Sequence, residues 1–154
     1  MTALMPPPPS SGYALVNDLR EPAAVANIHR TAPDEWAREE LLLAKLGARG
    51  WGRVHHFRNY YGSGWGEHAG SMLSPRALSA FFRFVDAFEF PSGVIPSVFL
   101  TDRGGIELCW EEESRKSVQV EFTRTDAEFY REATGEEGAL AHGALPQLVL
   151  RLSA

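Results

Sequence analysis

The 154 residues carry 15 basic and 20 acidic side chains, a formal net charge of −5, with 44% hydrophobic and 23% charged residues. That balance suits a globular chain that buries roughly two-thirds of its unfolded surface around one core, and no apolar run approaches the roughly 20 residues a bilayer crossing needs. The single Cys109 excludes an intramolecular disulfide framework and any zinc site built from several cysteines.

The opening MTALMPPPPSSGY has neither a basic stretch nor an apolar core of the secretory type, so the cytoplasm is the expected compartment. Pro6 to Pro9 favours polyproline II geometry, and residues 1–12 read as a disordered proline-rich tail ahead of a single domain over 13–154. Tyr13 to Ala26 allows either a short strand with a loop or a weak helix. Thr31-Ala32-Pro33-Asp34-Glu35 combines a hydroxyl cap, an early proline and acids at the positive end of a helix dipole. The helix it starts should reach about Lys45, with Trp36, Leu43 and Leu46 as its apolar stripe and Gly47 as its stop. Residues 50–70, WGRVHHFRNYYGSGWGEHAG after Gly50, mix glycine, histidine and aromatics. Arg53 to Tyr61 is readable as a strand, followed by an irregular glycine-rich loop.

Ser74-Pro75 is a second strong helix start, a serine cap with proline at the first helical position. Leu78, Phe81, Phe82, Val85 and Phe88 recur at spacings of three and four, an apolar face to about Phe88. Phe90-Pro91-Ser92-Gly93 turns the chain into strands. Val98 to Thr101 is β-prone, and Asp102-Arg103-Gly104-Gly105 is a hairpin turn. Ile106, Leu108 and Trp110 then alternate with Glu107, Cys109 and Glu111, and Val118, Val120 and Phe122 repeat the pattern after a polar loop. Arg124-Thr125-Asp126 turns into a fourth strand over Ala127 to Ala133, with Phe129 and Tyr130 on opposite faces. Leu145 to Leu152 is a short terminal helix. The order predicts an α+β fold: an antiparallel meander of about four strands, with two main helices packed on one face and a short C-terminal helix.

Residues 100–138 carry eleven carboxylates against five basic residues, a balance of −6, whereas residues 1–99 hold nine of each sign. The sheet region is therefore the acidic region, and phosphate repulsion argues against nucleic-acid binding through it. Its outward face should present Glu107, Cys109, Glu111, Gln119 and Glu121.

Gly64-Trp65-Gly66, Leu73-Ser74-Pro75-Arg76-Ala77-Leu78 and Gly104-Gly105-Ile106-Glu107-Leu108-Cys109-Trp110 resemble a loose pattern in short bacterial proteins of unknown function. These have a Trp-Gly loop, a Ser-Pro-capped helix and a Gly-Gly-Ile-x-Leu-x-Trp hairpin. The resemblance covers about residues 62 to 123, implies no catalytic residues, and suggests a partner protein from an accessory or defence-type gene set. An Asp commonly follows the Trp in that loop; Gly66 stands there in this chain, so no role for that Asp carries over.

Four constellations have residue types that chemistry uses. His55, His56, Glu67 and His68 could ligate a metal, but their spacing matches no finger or helical pair, and loop packing is the preferred reading. Cys109 as a nucleophile is disfavoured by Glu107 and Glu111 on its face, which hold a thiol protonated. Glu107 with Glu121 could act as an acid and base pair, though sheet-face acids are commonly just solvated. Trp51, Tyr60, Tyr61 and Trp65 could stack on a sugar or base, or simply anchor the loop. Gly62-Ser63-Gly64-Trp65-Gly66 lacks the ending of a phosphate-binding loop. The sequence thus points to a small non-catalytic protein, with no cofactor or metal, that binds another protein, in the manner of an immunity, antitoxin-like or adaptor partner, through Glu107, Glu111, Gln119 and Glu121. Self-association is compatible with this reading. The alternative is an enzyme or a ligand- or metal-binding domain centred on residues 51–70, with His55, His56, Trp65, Glu67 and His68.

Overall fold

The structure, a computed structural model, describes residues 33–65 and 70–154, without the side chains of residues 33–37. The expectations for residues 1–12 and for Tyr13 to Ala26 lie outside these residues, as do Gly66, Glu67 and His68. Ala37–Ala154 forms one compact unit. Its order is α1 (Pro33–Tyr60), α2 (Pro75–Ala87), β1 (Ser97–Leu100), β2 (Ile106–Glu111), β3 (Ser117–Phe122), β4 (Asp126–Arg131), β5 (Glu136–Ala141), a 3-10 turn (His142–Ala144) and α3 (Leu145–Ser153). The five strands form one antiparallel sheet in sequential order, with α2 and α3 packed on one face, an α+β fold. Among the described residues no helix is long and apolar enough to cross a membrane.

The alternation read in β2 and β3 holds. Ile106, Leu108, Trp110, Val118, Val120 and Phe122 are all buried, and Phe129 joins them from β4. The sheet has five strands rather than about four. β5, EEGALA, escapes a sequence reading because Glu, Gly and Ala have little strand preference of their own. Pairing with β4 creates it: Gly135 turns the chain at φ 67°, and a Cβ on Gly138 would press on the Phe129 ring at 3.1 Å.

Ser74 caps α2 as expected, its hydroxyl accepting from the Ala77 N–H at 3.3 Å, and Pro75 opens the helix. The buried stripe is Ala77, Ala80, Phe81, Phe84, Val85 and then Phe88, so Phe84 takes the central place expected of Phe82, which is only partly buried. The Phe84 ring meets Phe88, Phe122 and Trp110 at centroid distances of 5.0, 5.3 and 6.3 Å. In α3, the short terminal helix expected from Leu145 to Leu152, the buried residues are Leu145, Leu148 and Leu152, with Val149 partly buried.

α1 corrects two expectations. Helical structure resumes beyond Gly47 and runs to Tyr60, so Arg53 to Tyr61 is not a strand. Gly47 does interrupt the helix, at φ 70° and ψ 166°, a conformation open to glycine and costly for other residues. In the first half Leu46 is buried as expected, but Leu42 is buried in place of Leu43, which is exposed; the Trp36 side chain lies outside those described. In the second half Val54 and Phe57 are buried, and Gly50 lets the helix approach β1, since a Cβ there would lie 3.4 Å from Val98 Cγ2. Lys45 ties the first half to the end of α2: its ammonium donates to the Asp86 and Phe88 carbonyls at 3.0 Å each and pairs with Glu89 at 2.9 Å. A cation there satisfies carbonyls that a helix C-terminus leaves unpaired.

Candidate functional site

β2, β3 and β4 turn one face to the helices, and strand alternation places Glu107, Cys109, Glu111, Gln119, Glu121, Glu128 and Tyr130 on the other. Register puts Glu107 directly opposite Glu121, and Glu121 opposite Glu128, so three carboxylates cross the sheet in one row. Like charges directly opposite one another destabilise a sheet. One cation offsets this row. Arg103 Nη2 donates to Glu121 Oε2 at 2.6 Å and to Glu128 Oε2 at 3.0 Å, and Nη1 reaches Glu128 Oε1 at 3.3 Å. These hydrogen bonds, the one to Glu128 foremost, raise the guanidinium's pKa above its ordinary value.

The turn that carries Arg103 is anchored to the segment before α2. Ser71 N–H donates to the Asp102 carbonyl and Ser74 N–H to the Gly104 carbonyl, both at 2.8 Å. Gly104 has φ 75°, and a Cβ there would strike the Met72 carbonyl. Gly105 gives room to Glu121, because a Cβ would lie 2.9 Å from Glu121 Oε1. That oxygen is buried and has no hydrogen-bond partner among the described residues. Glu121 is thus a partly buried, clamped acid rather than a free one, whereas Glu111 and Gln119 are exposed.

Cys109 points to this face, as its parity demands, and donates its thiol to Glu107 Oε1 at 3.0 Å. Burial first, and then the Glu107 carboxylate, push the thiol's pKa up to about 12. A thiol so held is protonated at neutral pH and is a poor nucleophile.

The residues of the alternative reading are only partly brought together. His55 and His56 are consecutive on the second half of α1. His55 meets the Trp51 ring edge-on at 4.6 Å, and His56 stacks on Tyr60 at 4.8 Å. Trp65 is fixed by its indole N–H donating to the Ser71 carbonyl at 2.7 Å, with Gly70 against its ring. No three His, Cys, Asp or Glu side chains among the described residues are placed to hold a metal ion. His56, Tyr61 and Trp65 instead border a groove that also contains Arg49, Arg53 and Phe99. The two arginines were not singled out from the sequence, because a strand reading of this segment puts Arg53 with His55 and Phe57 rather than with Arg49 and His56. The chain matches no protein-family model, no curated protein and no solved structure.

Proposed function

We propose that this chain is a non-catalytic binding protein that docks a basic protein partner on the outer face of its sheet. The observation that carries the reading is the carboxylate row across β2, β3 and β4 on the outer face of the sheet. Among the described residues only Arg103 pairs with it, reaching Glu121 and Glu128 but leaving Glu107 to the Cys109 thiol. A row of like charges costs local stability, and a basic partner would recover that cost as affinity and as faster encounter. Exposed Tyr130, 38% accessible, adds on the same face the aromatic surface that binding sites use as anchors. The thiol of Cys109 and the paired carboxylates supply no activated group, which favours binding over catalysis.

The test is capture from the cells that make the protein, comparing wild type with a Glu107→Lys, Glu111→Lys, Gln119→Lys variant whose melting curve shows it folded. A specific partner held by wild type, released by salt and lost in the variant supports the reading. Equal capture by both proteins removes it.

A further inference from the structure

A second surface has the opposite charge. Residues 41–66 contain no Asp or Glu but hold Lys45, Arg49, Arg53, Arg58, His55 and His56, in a chain whose net charge is −5. The helix places Arg49, Gly52, Arg53 and His56 on one face, at spacings of three and four. That face and Phe57 of the same helix line a groove of about 520 Å³ together with Phe99 and Leu100 of β1 and the rings of Tyr61 and Trp65. Its volume lies within the range of small-ligand sites. Among the described residues no carboxylate lines it, nor the adjoining hollow of about 470 Å³ that shares Arg49, Arg53 and Phe99. Arg53 is positioned for recognition: Nη1 donates to the Val98 carbonyl at 2.9 Å, and the guanidinium lies 5.3 Å from the Phe99 ring centre.

Gly52 is the second observation. It sits inside the helix, where glycine costs about 1 kcal/mol relative to alanine. No turn requires it, and a Cβ built on it would meet nothing within 4 Å, unlike Gly50, whose Cβ would touch Leu46 and Val98. Packing therefore does not explain the residue. It lies exposed beside the groove, between the turns that carry Arg49 and His56, so a long side chain placed there would enter the groove.

We propose that this groove binds a small organic anion bearing a flat ring, its charged group held by Arg49 and Arg53 and its ring laid on the aromatic wall. Arginine pairs carboxylates and phosphates through two parallel hydrogen bonds, so the anion's source is either a nucleoside phosphate or an aromatic carboxylate.

The experiment is isothermal titration of the full chain with adenosine monophosphate, indole-3-acetate, adenosine and inorganic phosphate. Saturable binding of either ring-bearing anion, at least tenfold tighter than adenosine or phosphate alone, supports the site, and the tighter of the two identifies the source. Gly52→Glu should weaken that binding at least tenfold without lowering the melting temperature, since its side chain enters open space. Gly52→Ala should bind as wild type does, and Arg49→Gln should weaken binding several-fold. Failure of both anions to bind, equal binding of adenosine or of phosphate, or undiminished binding to Gly52→Glu would each overturn the proposal. None of these outcomes bears on the outer sheet face.

Discussion

Phe84→Ala and Phe82→Ala, measured side by side, test where α2 turns its face. Phe84 is fully buried, and its ring touches Phe88, Trp110 and Phe122. Truncation removes the transfer energy of the ring and leaves a cavity between α2 and the sheet, together about 3 to 5 kcal/mol. Against a total stability of roughly 5 to 15 kcal/mol this threatens the fold, and it corresponds to a fall in melting temperature of roughly 10 to 20 °C for a domain of this size. Phe82 is only partly buried, and its neighbours are Trp51 at 6.0 Å, Phe81 at 5.5 Å and the Arg38 guanidinium at 5.6 Å. Its truncation should cost about 1 to 2 kcal/mol, because much of the surface it vacates is already wet. Urea titrations of both variants with unchanged slopes give the two energies on one scale. If Phe82→Ala costs as much as Phe84→Ala, α2 is rotated from the orientation described, and the packing argument fails with it.

Four further outcomes are expected. Arg103→Ala should destabilise the fold by about 1 to 2 kcal/mol in urea titration at pH 7, because the partly buried Glu121 carboxylate loses the cation on its Oε2 while its Oε1 already has no partner, and adding Glu121→Gln should recover most of the loss. Cys109 should react with a disulfide reagent at pH 8 roughly a thousandfold more slowly in the folded chain than in urea, given its rise from 9.0 to about 12. Since the folded pKa is raised, the stability this thiol confers is full below pH 9.0 and is lost as pH climbs toward 12, so Cys109→Ser should flatten the alkaline limb of a stability profile. Gly47→Ala should cost about 1 to 2 kcal/mol by thermal melt, from its positive φ and from the crowding of Ile95 Cγ2 at 3.3 Å.

Strand parity was legible because β2 and β3 are half-buried, and a half-buried strand must alternate. Ile106, Leu108 and Trp110 on one side, with Glu107, Cys109 and Glu111 on the other, admit a single register relative to the core. The start of α2 was legible for a local reason too: Ser74 and Pro75 act on the first turn whatever the rest of the chain does. β5 was not, since Glu136 to Ala141 has no strand preference and exists only as the partner of β4. Helix content beyond Gly47 was hidden by Gly50, Gly52 and a run of aromatic and β-branched residues, all poor helix formers. Burial of Val54 and Phe57 holds that segment helical, a tertiary effect that overrides propensity.

The two candidate surfaces differ in legibility for the same reason. On the outer face the carboxylates could be read from the strand pattern, but the clamp on Glu121 and Glu128 could not, because it depends on how a turn anchored at Ser71 and Ser74 aims Arg103 across the sheet. In the groove both the residues and their grouping turn on period. Read at a spacing of two, Arg53 belongs with His55 and Phe57, and one side of the segment mixes a cation with a core aromatic. Read at 3.6, Phe57 falls in with Val54 as the buried side, while Arg49, Gly52, Arg53 and His56 line up as a cationic face with a gap at Gly52. Neither charge nor composition changes between the two readings. Only the helix brings the cations together on one face.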